Sequence, residues 1–108
     1  DVVTVGWDDF AASVDLSAVS LVKMDIEGAE FDVLPALIPW LQAQRPALYL
    51  STHAPFLDAD TRAERMAALF DMLSFYGSCR DEAGQPVTRA ALDDPRYLER
   101  FPSFLFSD

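Results

Sequence analysis

Between Ser20 and Ile26 the chain runs Ser-Leu-Val-Lys-Met-Asp-Ile, is broken at Gly28, and then changes its apolar spacing from continuous to helical. That junction constrains the fold more than any other feature. The run is too short for a stable helix, and an unbroken apolar segment closed by glycine suits a buried parallel strand. From Ala29 onward, Phe31, Leu34, Leu37, Ile38 and Leu41 recur at three- and four-residue intervals and so share one helical face. Pro35 is tolerable within a first helical turn. Pro39 removes a helical hydrogen bond and is expected to kink or split the helix before Arg45-Pro46 ends it.

The flanking segments extend the same alternation. Val2, Val3 and Val5 before Gly6 read as a strand remnant, followed by a short helix from Trp7 with Asp8 and Asp9 in its first turn. Ala47 to Thr52 is a second short strand without polar alternation, so both its faces are expected to be covered, and His53-Ala54-Pro55 is its exit loop. Thr61 with Glu64 forms a capping-box pattern, Met66, Leu69, Phe70 and Leu73 line one face, and Gly77 suits a left-handed stop. Ser78 to Asp81 reads as a short strand, Ala83 to Pro86 as a turn, Ala90 to Phe101 as weakly helical, and Phe104 to Phe106 as a terminal strand. The resulting order is that of an α/β domain whose last two strands are antiparallel. Ligands of such sheets gather beyond the carboxyl ends of the strands.

Composition excludes several function classes. A 51% hydrophobic content is too high for a disordered tail, and 108 residues make one small domain with a thin core. The net charge of −10, from 18 acidic and 8 basic residues, opposes nucleic-acid binding and anionic membranes. Cys79 is the single cysteine, which rules out an intrachain disulfide and fits a reducing, cytoplasmic setting. No apolar stretch approaches the ~18 residues of a membrane span. The sequence starts at Asp1 and reads as cut from something longer.

Leu21-Val22-Lys23-Met24-Asp25-Ile26-Glu27-Gly28-Ala29-Glu30, with Val33-Leu34 downstream, resembles the signature of the FkbM family of S-adenosylmethionine-dependent methyltransferases. Val5-Gly6-Trp7-Asp8-Asp9-Phe10 sits where members carry a Leu-Asp-Asp-like segment, and the strand ending at His53 also looks like the family's pattern. Ser51 stands where an acidic residue is frequent, and Pro35 where a glycine is. The resemblance implies the carboxyl-terminal half of a Rossmann-like class I methyltransferase sheet, mostly parallel with an antiparallel last strand and helices on its faces. It implies S-adenosylmethionine as cofactor. The family's Gly-rich, cofactor-approaching strand and loop has no counterpart here, since Gly6, Gly28, Gly77 and Gly84 are scattered. The isolated chain is therefore expected to bind the cofactor weakly or not at all.

By the same resemblance Asp25 lines the donor and acceptor site, His53 is a base or acceptor-positioning group, and Asp25, Glu27 and Gly28 contribute to cofactor binding. Both Asp25 and His53 fall at expected strand ends, where adjacent loops meet in one crevice. Asp25 also suits a cap of the following helix, and Glu27 and Glu30 equally suit electrostatic support of its amino terminus. His53 is the only histidine and, without cysteines nearby, makes a poor transition-metal site. A carboxylate-held Mg²⁺ is an alternative weakened by Ser51. Cys79 reads as inert packing, Lys23 as a stem reaching solvent, and Trp7 and Trp40 as core. The function expected is O-methyl transfer to a hydroxyl of a sugar, polyketide or other small metabolite. The rivals are a non-catalytic module that dimerises through an exposed strand edge and, more weakly, a nucleotide-handling α/β protein, which would need a phosphate loop absent here.

Overall fold

The computed structural model describes residues 2–108. Four strands form one mixed sheet: β1 (Leu21–Met24), β2 (Ala47–Ser51), β3 (Ser78–Arg80) and β4 (Ser103–Ser107), in the spatial order β1-β2-β4-β3. β1 pairs with β2 in parallel, while β4 is antiparallel to both β2 and β3. Three strands thus run one way and β4 the other. The last two strands are antiparallel as expected, but only one of the three ladders is parallel, because β4 inserts between β2 and β3 and separates co-directional neighbours.

Register explains where the core lies. Val22, Met24, Leu48, Leu50, Phe104, Phe106 and Cys79 are matched across the ladders and so project from one face of the sheet. α2 (Glu30–Gln44) and α3 (Arg62–Met72) supply Phe31, Leu34, Leu37, Leu41, Met66, Leu69 and Phe70 to that core, and Leu73 follows at the end of α3. Burying each such side chain stabilises the fold by roughly 1.5–3 kcal/mol. The opposite face carries Leu21, Lys23, Tyr49, Leu105 and Arg80, with Leu21 58% and Tyr49 36% exposed. Expectations of a buried β1 and of a β2 covered on both faces are therefore corrected: among the described residues β1 is an edge strand, and helices cover one side only.

Several local expectations are also revised. Val2 to Val5 form no strand, and Val2, Val3 and Val5 are exposed; the first element is the short helix α1 (Trp7–Ser13), whose Trp7 packs on Trp40 of α2 at 5.4 Å between ring centroids. α2 continues through both Pro35 and Pro39, with Pro35 beyond the first turn. The two prolines are four residues apart on the exposed side, so their rings stay clear of the leucines that pack against the sheet. Arg45, in the left-handed region at φ 56°, ends the helix.

α3 begins at the expected point, but its capping box does not form: Thr61 Oγ1 donates to the Asp58 carbonyl at 3.2 Å instead of accepting from the helix. Gly77 is not a left-handed stop either, since it is not among the positive-φ residues. A Cβ there would lie 3.4 Å from the Asp108 Cα, so glycine serves the close passage of two backbones. Tyr76 donates to the Pro46 carbonyl at 2.6 Å and ties this turn to the start of β2. The weakly helical tail resolves into a 3₁₀ turn at Arg89–Asp93 and a short α4 (Pro95–Leu98), capped by Asp94 accepting from the Arg96 N–H.

Candidate functional site

At the carboxyl end of the sheet the chain leaves β1 through Asp25 and leaves β2 through Thr52 and His53. Parallel pairing of these two strands brings their exits side by side, and His53 Nε2 lies 3.3 Å from Asp25 Oδ1. The side chain of Asp25 is 52% exposed and that of His53 10%. Asp25 is therefore the group a solute meets first, and His53 stands behind it.

Behind His53 in turn lies Glu30, which is fully buried. Its Oε1 accepts the His53 backbone N–H at 2.7 Å and lies 3.2 Å from His53 Nδ1, while Oε2 accepts the Gly28 N–H at 2.9 Å. A carboxylate, an imidazole and a second carboxylate thus run from the interior to the surface. Phe56 stacks on the His53 ring at 5.7 Å and 17°, and Phe101, from the segment entering β4, sits 5.4 Å away. The backbone of the loop after His53 is held by Arg62, whose guanidinium donates to the carbonyls of Ala54, Pro55 and Leu57.

The turn between β1 and α2 explains why glycine is needed. Glu27 and Gly28 have φ of 56° and 103°, and a Cβ on Gly28 would approach the Phe56 Cβ to 3.3 Å. Glu27 occupies this turn and is exposed; Gly28 shapes it and its N–H donates to Glu30. Asp25 does not cap α2: its amino terminus has Ala29 at the cap position with no side-chain hydrogen bond.

The structure thus brings Asp25 and His53 together, while Glu27 makes no hydrogen bond or ion pair with either among the described residues. Sequence reading left Glu30 open between two roles and missed Phe56, Arg62 and Phe101. A signal for Glu30 was present, because residues 30, 34, 37 and 41 share one helical stripe and the other three are leucines. A carboxylate on an apolar stripe needs a partner. Phe101 left no comparable trace, since its proximity to His53 arises only from the pairing of β2 with β4.

The remaining candidates are peripheral. Ser51 Oγ is paired with Ser103 Oγ at 2.7 Å, and Lys23 is exposed on the open face of the sheet. Among the described residues no cluster of three or more His, Cys, Asp or Glu is placed to hold a metal ion. Burial, helped by the charge of Asp81, pushes the Cys79 thiol up to about 12, which suits packing and not nucleophilic chemistry. No helix among the described residues is long and apolar enough to cross a membrane.

Comparison with known proteins decides the family. The model of the methyltransferase FkbM domain matches residues 1–81. The chain belongs to this family. No curated protein and no solved structure matches it. The matched span of the FkbM domain includes Asp25, Glu27, Gly28, Glu30, His53 and Phe56, and with them the contact between the exits of β1 and β2. It stops before α4 and β4, so Phe101 joins the FkbM cluster from outside the matched residues. Membership points to methyl transfer.

Proposed function

We propose that this chain supplies the acceptor-facing half of an S-adenosylmethionine-dependent O-methyltransferase acting on a hydroxyl of a sugar, polyketide or other small metabolite. The observation that carries the reading is the pair at the sheet's carboxyl edge, an exposed Asp25 carboxylate 3.3 Å from His53 Nε2. The single reversed strand among three co-directional ones supports reading the sheet as the later half of a Rossmann-like domain.

The residues fit part of the cofactor. A positively charged sulfonium suits a carboxylate beside aromatic rings, and here Asp25 lies next to a cluster with Phe56 and Phe101, both half exposed or more. No Gly-rich loop is present to approach the rest of the molecule. S-adenosylmethionine, when bound, supplies a methyl group already activated by positive sulfur. The chain's own task is then to align the acceptor and remove its proton. Asp25 accepts the hydroxyl hydrogen bond, and His53, shielded by Phe56 and Phe101, supports the proton transfer from behind.

Calorimetric titration of S-adenosylmethionine into the 108-residue chain should give weak or undetectable binding, and extension by about 100 upstream residues, the size of a half-domain, should restore it. In the extended form Asp25→Asn should lower turnover by about 10²–10⁴-fold with little loss of stability. Normal turnover would remove Asp25 from the reaction. One observation favours the rival, a pairing module: β1 bonds to β2 alone, leaving its other edge open among the described residues. Tight self-association of a chain that never binds cofactor, even when extended, would decide for that rival.

A further inference from the structure

We propose that Glu30 is the positioning residue of this site: its buried carboxylate holds the His53 ring with a proton on Nδ1, so that Nε2 is the nitrogen turned toward Asp25. The assignment of a purpose to this arrangement rests on the reading of Asp25 as the proton acceptor. The placement of the proton rests on hydrogen bonding alone.

Both oxygens of Glu30 already act as acceptors, Oε1 from the His53 backbone N–H and Oε2 from the Gly28 N–H. Carboxylate oxygens in that setting face a ring nitrogen best when the nitrogen carries hydrogen. With hydrogen on Nε2 alone, the Nδ1 lone pair would face Oε1 at 3.2 Å, acceptor against acceptor, in a place closed to water. Hydrogen on Nδ1 removes that conflict at the buried carboxylate; Nε2 then turns its lone pair to Asp25 Oδ1 at 3.3 Å, where the 52% exposed Asp25 side chain can be solvated, so the cost is smaller there. The same carboxylate joins the turn after β1 to the exit of β2, the two segments that carry Asp25 and His53. Phe56 and Phe101 restrict rotation of the ring.

This placement has a chemical consequence. An acceptor hydroxyl would give its proton to the exposed Asp25 carboxylate, and the electron pair left on its oxygen would form the bond to the methyl carbon as the donor's carbon–sulfur bond breaks and that pair returns to sulfur, leaving a neutral thioether. Nε2, 3.3 Å from Asp25 Oδ1, then has a lone pair free to receive that proton. Glu30 touches none of the reacting atoms and acts through His53, as a supporting carboxylate fixes the tautomer of an imidazole.

His53 is the only histidine in the chain, so selective ¹⁵N-histidine labelling yields one imidazole spectrum. In the unmodified chain Nδ1 should show a protonated shift and a direct coupling to hydrogen; a spectrum of the Nε2–H tautomer with bare Nδ1 overturns the proposal. Glu30→Gln should redistribute the proton between the two nitrogens and speed its exchange with water, and an unchanged imidazole spectrum in the folded variant overturns it too. Asp25→Asn should leave the Nδ1 proton in place, and its loss there would transfer control of the ring to Asp25. If Glu30→Gln does not fold, the unmodified and Asp25→Asn spectra still decide. A protonated Nδ1 in an extended chain that transfers no methyl group would keep this assignment and remove the methyltransferase chemistry, so the two readings fail separately.

Discussion

Gly28 carries two constraints at once, a φ of 103° and the contact that any Cβ would make with Phe56. Gly28→Ala should therefore destabilise the chain by about 1–3 kcal/mol, the range for backbone held in a sparsely populated region, measured as a lower midpoint in urea. An unchanged midpoint would show that the turn relaxes without cost. Cys79 gives a chemical test of burial. With its thiol raised from 9.0 to about 12, the fraction present as thiolate at neutral pH falls well below that of a free thiol. Labelling of the folded chain at pH 8 should be slow and should accelerate on denaturation, and fast labelling in the folded state would contradict a half-buried thiol packed against the core. At this scale the strand ends were legible: Asp25 and His53 followed from short apolar runs and where they stop. Glu30 was visible only as a polar residue on an apolar stripe, and its partner could not be named without the fold. Phe101 was not legible, because residues so far apart in sequence meet only when β4 inserts beside β2.

The helices show how context overrides a local rule. Pro39 was expected to kink or split α2, and it does not split it: one helix spans Glu30–Gln44, with both prolines facing solvent while Leu34, Leu37 and Leu41 anchor the opposite side. The prolines still cost stability, since proline in a helix interior is about 3 kcal/mol worse than alanine. Pro39→Ala returns a donor for the Pro35 carbonyl but loosens the unfolded chain, which offsets roughly 0.4–1 kcal/mol. The net expectation is a gain of about 1–3 kcal/mol, seen as a higher thermal midpoint; a fall would mean that the proline ring packs in a way its exposure does not suggest. α3 gives the converse case. Its start was readable from Thr61 and the spacing of Met66, Leu69 and Phe70, although the cap that signalled it is not made, while its end falls at Met72 and not at the expected Gly77 stop. Thr61→Ala should cost less than about 0.5 kcal/mol, where a true cap would cost about 1.

For the whole molecule, the decisive property is that the core is one-sided. α2 and α3 cover the face bearing Leu48, Leu50, Phe104 and Phe106, while Leu21, Tyr49 and Leu105 remain at the surface opposite. Strand pairing was partly readable from the order of elements, but which face the helices choose was not, since short apolar strands without alternation look alike on both sides. The asymmetry predicts unequal responses to one substitution made twice. Leu50 is fully buried at the centre of the packed face, so Leu50→Ala should lose about 2–5 kcal/mol from transfer and cavity terms. A domain of this size has only about 5–15 kcal/mol in total, so much of its stability would go. Leu21→Ala removes the same atoms from an edge strand where the side chain is already 58% exposed, and should cost under about 1 kcal/mol. Parallel urea unfolding of the two variants measures the difference directly. Equal losses would mean that Leu21 is covered in solution, with something seated on the open face of the sheet; a large loss at Leu50 alone places the folding energy in the helix-covered layer that also holds Glu30 behind His53.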